Sequence, residues 1–386
     1  MIQLSAPNIS KHERAGIKAC LDSGWVSSAG KLVNKFEEAV CRYVKARHAV
    51  ACINGTSGLF IALKLAGVEP GDEVVVPALT FIAPVNVVRY LGAEPVFMDC
   101  GDFMNLDPVK LREFCGQKCR LTPRGLVNRK TGRTIKAVIP VHIFGNPCRM
   151  AGIMDVARTY RLRVIEDATE SLGSYFTGGA HKDKFTGTIG DMGVYSFNGN
   201  KIITAGSGGM IVTDKKKFAE KARYLVNQAK DDPLRSIHDE VGYNFRLTNL
   251  QSALGLAQLD RIEDFIKVKE RNFKLYVKGL AGTPGLKMLG IPDGTRPNFW
   301  MYSLIVEKGG FGKDNEKLMQ SLSEKKIETR PVWRLNHLQK PYRSNQAYRI
   351  ERAAWFYKRV LNLPSGSALK PAEVKSVIAA IRKARG

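Results

Sequence analysis

Between residues 48 and 215 the sequence alternates short, β-branched apolar runs with segments of helical spacing, and few architectures accommodate that pattern. Runs of this kind, apolar at every position, suit strands buried on both faces, and the helical segments between them suit crossover connections. The pattern predicts βαβ units around a mostly parallel sheet. Strands are expected at 48–53, 73–76, 95–99, 137–142, 163–166, 193–197 and 209–213. Helices are expected after Gly58, over 81–91 and over 150–160. Beyond residue 215 the helices lengthen, and Thr248 with Gln251 has the spacing of a capping box opening a helix that runs past residue 270. A glycine- and proline-rich stretch over 279–297 leads into a smaller α+β unit. The expected division is a large domain over 1–250 and a smaller one over 251–386, with no internal repeat.

The 386 residues carry 60 Lys and Arg against 36 Asp and Glu, a net charge of +24. That excess admits polyanions, membrane surfaces and phosphorylated small molecules as partners. Residues 116–136 hold seven cations and no acid: Lys118, Arg120, Arg124, Arg129, Lys130, Arg133 and Lys136. No aromatic lies among them to stack on bases, so a solvated basic loop or hairpin is favoured over a nucleic-acid patch. The seven cysteines lack paired CxxC spacing, and no metal site is expected. The first residues have no apolar core of a signal peptide, and Val74 to Val88 is interrupted by prolines and polar residues; a cytoplasmic protein off the membrane is expected.

Three motifs could carry chemistry. Gly55-Thr56-Ser57-Gly58 follows a strand and opens a helix, where hydroxyls and N–H groups converge on an anion such as phosphate; simple caps look the same. Glu166-Asp167-Ala168 closes a strand at the end where open α/β sheets bind ligands, although a structural ion pair would fit there equally. Tyr195-Ser196-Phe197-Asn198-Gly199-Asn200-Lys201 places one lysine beside a glycine-rich turn. Burial there would lower its pKa and free the amine for Schiff-base chemistry, whereas a lysine in a loop is ordinarily solvated.

In this order, and with Ser23-Gly24-Trp25, Pro77-Ala78-Leu79-Thr80-Phe81, Pro140-Val141-His142, Tyr243-Asn244-Phe245-Arg246 and Thr329-Arg330-Pro331, the motifs resemble the DegT/DnrJ/EryC1/StrS aminotransferases over nearly the whole chain. The resemblance implies the aspartate-aminotransferase fold (PLP fold type I), pyridoxal 5'-phosphate (PLP) alternating with pyridoxamine 5'-phosphate, and keto sugars linked to nucleotides as substrates. Lys201 would bind the cofactor covalently and shuttle the proton. Asp167 would hold the pyridine nitrogen, and Thr56, Ser57 and Ser196 the phosphate. Phe81 would stack on the ring, and Asn244 would reach the cofactor of a second subunit in a homodimer. Glu170 stands where many relatives have Gln facing the cofactor's 3'-oxygen, so it should be protonated or point elsewhere. The turn Ala205-Gly206-Ser207-Gly208 also departs from a common TGEGG pattern. Arg330, His337, Trp333 and His142 are candidates for the sugar-nucleotide pocket, with Arg330 first because its planar fork matches a diphosphate.

The lysine segment, and the basic stretch 116–136, resemble the bacillosamine and legionaminic acid group of C4-aminotransferases. That group implies transfer from L-glutamate to C4 of a UDP-linked 4-keto-6-deoxy sugar. Amination at C3, or a GDP- or dTDP-linked sugar, is the alternative within the family; a basic nucleic-acid binder on the same fold is the alternative outside it.

Overall fold

The computed structural model describes residues 1–232 and 234–385. Its main sheet runs, in spatial order, His48–Cys52, Gly209–Thr213, Met192–Ser196, Arg163–Asp167, Thr134–Val138, Glu73–Pro77, Glu94–Met98 and Ala347–Tyr348. From Met192–Ser196 onward every neighbouring pair is parallel, whereas Gly209–Thr213 is antiparallel to both its neighbours. The expected strands are therefore present, shifted by a few residues at their ends. They bury both faces: Glu73–Pro77, Met192–Ser196 and Gly209–Thr213 are buried at every position. On one face pack the helices Gly55–Leu65, Ala83–Tyr90 and Lys216–Val226. Met150–Tyr160 and Pro108–Lys118 cover part of the other.

The basic stretch forms an antiparallel hairpin, Cys119–Thr122 with Gly125–Asn128, that attaches to the first residues of Thr134–Val138. It thus sits at the amino ends of the parallel strands, opposite the end where Asp167 closes Arg163–Asp167.

The capping box at Thr248 forms, its hydroxyl accepting from the Gln251 N–H, but the single long helix does not. The chain turns at Asp260 and Arg261, giving Asn249–Leu259 and then Ile262–Leu280. The first packs on Lys11–Asp22 and Lys31–Val44, the second on the final helix Pro371–Lys383. The change from large to smaller unit accordingly falls after this turn rather than at residue 250. The smaller unit holds an antiparallel sheet ordered Leu286–Met288, Tyr302–Val306, Val360–Leu363, Arg330–Pro331. Nor are the two units sequential segments. Ile2 bridges Ile327 and Leu4 accepts the Ser365 N–H, so the amino terminus joins the smaller unit. Conversely, Ala347–Tyr348 returns to the large sheet, and buried Asp99 accepts the N–H groups of Glu351, Arg352 and Ala353. No described helix is long and apolar enough to cross a membrane.

Candidate active site

The carboxyl ends of the central strands open into a cavity of about 680 Å³, whose far wall comes from the smaller unit and the amino terminus. Gly55–Leu65 points its amino end at it. Asn54 caps this helix by accepting the Ser57 N–H at 2.8 Å, which leaves Gly55 and Thr56 facing the cavity. Gly55 sits in close quarters: a Cβ there would lie 3.0 Å from the Thr169 methyl and 3.2 Å from the Ser196 Cβ, so those side chains would have to give way. Ser196 completes this cradle. Ser57, expected to hold phosphate as well, is 8% exposed behind the lining, with its N–H committed to the cap.

Asp167 faces the same space, 2% exposed, with Oδ1 accepting the Thr169 N–H at 3.1 Å. Burial raises its pKa above the usual carboxylate value, against the opposing effects of Thr169 and Lys201. Such a carboxylate is under-compensated, and a cationic N–H donor in the cavity would supply what is missing.

Lys201 extends into the cavity with its side chain 13% exposed. Its Nζ lies 3.6 Å from Glu170 Oε1, a charge contact longer than a good hydrogen bond, and 4.1 Å from the centre of the Trp300 ring. Glu170 is buried in the site, not on a surface helix. Its Oε2 accepts the Phe144 N–H at 2.8 Å, and burial pushes its pKa up to about 7 while Lys201 and that N–H oppose the rise. Near neutrality the group is thus divided between protonated and ionised forms.

Of the pocket candidates, Trp333 and Arg330 line the cavity and two histidines do not. Trp333 stacks on Phe144 at 4.8 Å and lies 6.3 Å from exposed Phe81. Arg330 stands at the rim, paired with Glu328 at 3.1 Å. His142 is a correction: it is fully buried behind the site, where Nδ1 accepts the Cys148 N–H at 3.0 Å and Nε2 meets Glu166 Oε2 at 3.0 Å. The proton therefore sits on Nε2 and is donated to Glu166. Glu166 also accepts the N–H groups of Gly187, Ile189 and Gly190. Burial alone would raise that carboxyl, but His142 and these backbone donors more than offset it and hold it below the usual range. Of the two adjacent acids, Glu166 is the structural one and Asp167 the one presented to the ligand. His337 is a second correction: it packs its ring on Phe97 at 6.2 Å, outside the lining. Asn244 is exposed and also outside the cavity.

Sequence reading missed Trp300, Phe144, Glu328 and Leu4, all of which face the cavity. One local signal for Phe144 existed. It precedes a glycine just past a predicted strand end, where a turn is expected, and in the structure it turns with a left-handed φ of 56°.

A partly buried lysine, an under-compensated carboxyl and a hydroxyl-bearing helix start share one cavity, an arrangement suited to a PLP-dependent aminotransferase, and the mixed, mostly parallel sheet is the fold of that class. The chain belongs to the DegT/DnrJ/EryC1/StrS aminotransferase family, whose model matches residues 7–382, and whose members use pyridoxal phosphate. It is 38% identical to a GDP-perosamine synthase of Caulobacter vibrioides, across 98% of this chain and 97% of that one. A GDP-perosamine synthase of Vibrio cholerae is 34% identical, across 99% and 98%. A solved structure of DesI in the presence of its TDP-sugar product matches with a TM-score of 0.87 at 29% identity, across 99% of this chain and 92% of that one. The protein is thus a sugar aminotransferase of this family, and its expected placement in the bacillosamine group is approximate.

Proposed function

We propose that this enzyme transfers an amino group from L-glutamate to C4 of a nucleotide-linked 4-keto-6-deoxy sugar, with GDP favoured over the UDP expected from the lysine segment. The observation that carries the transfer is the placement of the Lys201 amine between Glu170 and Trp300, on the cavity that Asp167 and the Thr56 helix start also face. GDP is favoured because the two relatives described above are named for a GDP sugar. Their reaction is a C4 amination.

Bound here, the cofactor supplies an electron sink that allows a proton to leave the amino-bearing carbon. The chain's own residues do the rest. Asp167 holds a proton at the pyridine nitrogen, because a buried carboxylate is stabilised by a cationic donor. Thr56 and Ser196 bring hydroxyls to the phosphate where the helix dipole favours negative charge. Phe81, Phe144 and Trp333 form an aromatic wall against ring and sugar. Lys201, once released, carries the proton from one carbon to the other, and Glu170, titrating near 7, takes up or returns a proton beside it. Arg330, anchored by Glu328, meets the diphosphate. Exposed Asn244 completes the phosphate site of a second copy in a homodimer.

A TDP-linked substrate is the second reading, supported by the DesI likeness. A panel of GDP-, UDP- and dTDP-linked 4-keto-6-deoxy sugars, each incubated with PLP and glutamate, tests both. The GDP sugar should give the highest kcat/KM, with the new amine at C4 by NMR. Amination at C3, or preference for another nucleotide, would overturn the corresponding part.

A further inference from the structure

Lys269, on the helix Ile262–Leu280, is 2% exposed in the smaller unit and lines no part of the cavity. A lysine in such a place loses its hydration, and burial alone lowers its pKa to about 7 with no carboxylate to oppose the change. What the ammonium does have is two carbonyls. Nζ donates to the Trp300 oxygen at 3.1 Å and to the Ser365 oxygen. Ser365 adds two contacts: its hydroxyl donates to the same Trp300 oxygen at 2.9 Å, and its N–H to the Leu4 oxygen at 2.7 Å. The other end of Trp300 is held too. The indole Nε1 donates to the Asn200 carbonyl at 2.6 Å, one residue before Lys201, and the ring lies 4.1 Å from the Lys201 amine. An apolar side chain of similar length would fill this space without the desolvation cost but would leave those carbonyls without the amine's N–H donors.

We propose that Lys269 is a positioning residue for amino transfer: by holding the Trp300 and Ser365 carbonyls from inside the smaller unit, it fixes the Trp300 ring against the Lys201 amine and Leu4 at the cavity wall. The inference rests on the aminotransferase assignment and is independent of which nucleotide the sugar carries.

The test uses the full-length chain with Lys269→Met, Trp300→Leu and the double variant. In the cofactor-free protein, the emission owed to Trp300 is the difference between chains with and without it. Its quenching by acrylamide should rise several-fold, with a red shift, on Lys269→Met. Loaded with PLP, each single variant should lower kcat roughly tenfold with little change in the glutamate KM, and the double variant should be no slower than the singles, since both remove one arrangement. Unchanged Trp300 emission in Lys269→Met, or losses that multiply in the double variant, would overturn the proposal. Should Lys269→Met fail to fold, Ser365→Ala removes a donor from the same Trp300 carbonyl and must move the emission in the same direction; an unmoved signal there overturns it equally.

Discussion

At the scale of single residues, Glu170 makes the sharpest prediction because its charge is poorly placed. Its pKa is about 7 in the folded chain against an ordinary 4.5, so between those values the folded state keeps a proton that the unfolded state has lost. Stability must therefore fall as pH rises through that window, by on the order of 3 kcal/mol for this one group. Glu170→Gln should flatten the fall in the melting temperature of the cofactor-free protein between about pH 4.5 and 7. Asp167, also raised, leaves a residual slope of the same sign. A melting curve equally steep in both proteins would show that Glu170 is not the titrating group. His142 predicts differently. His142→Leu strips Glu166 of one partner while three backbone donors remain, and should destabilise by about 3 kcal/mol in chemical denaturation. The residue scale is also where sequence reading divided most clearly. Asp167 and Lys201 were marked by the ordered set of motifs rather than by their immediate neighbours, and the fold brings both to one cavity. His142 was misplaced because a histidine closing a strand reads the same whether the chain then turns it toward the ligand or against Glu166.

Among the elements, the close approach of Gly209–Thr213 to the start of Gly55–Leu65 sets the phosphate cradle. A Cβ on Gly209 would fall 2.5 Å from the Asn54 carbonyl oxygen and 2.8 Å from the Gly55 nitrogen, which are backbone atoms that can yield only by moving the helix start. Overpacking of this kind costs typically ~1–3 kcal/mol, so Gly209→Ala should weaken PLP affinity by about tenfold or more in an absorbance titration. Wild-type affinity in that variant would mean the cradle does not depend on the contact. The strands themselves were readable because burial on both faces leaves continuous apolar runs. The two-residue strand Ala347–Tyr348 was not, since two residues carry no period and their pairing is decided by Glu94–Met98, far away in sequence. The turn at Asp260 and Arg261 escaped notice for a related reason: neither glycine nor proline marks it, and packing on two different units breaks the helix.

For the whole molecule, the +24 charge separates from the chemistry. The hairpin that concentrates it lies at the amino ends of the parallel strands, and the cavity lies at their carboxyl ends. Replacing Lys118, Arg120, Arg124 and Lys130 together with Gln should leave PLP affinity and kcat within about twofold of wild type, because these exposed charges sit at the opposite ends of the strands from the cavity and act on it through screening solvent. A large loss would tie the hairpin to catalysis. The cavity also shows why half of the site stayed out of reach of the sequence. Thr56, Asp167, Ser196 and Lys201 come from one βαβ layer whose order is written along the chain. Leu4, Trp300 and Glu328 are brought across by the smaller unit and the amino terminus, beside Arg330 and Trp333, which the sequence had marked, and only the assembled fold makes them neighbours. Amino transfer through Lys201 is the claim on which the rest depends. Its most direct measurement is the fate of isotopically labelled glutamate nitrogen, given with PLP and a GDP-linked 4-keto-6-deoxy sugar. The label should appear on C4 of the sugar with the wild-type chain and be absent from the product with Lys201→Ala. Label on the sugar in the absence of that amine, or none with the wild-type chain and any nucleotide of the panel, would contradict it.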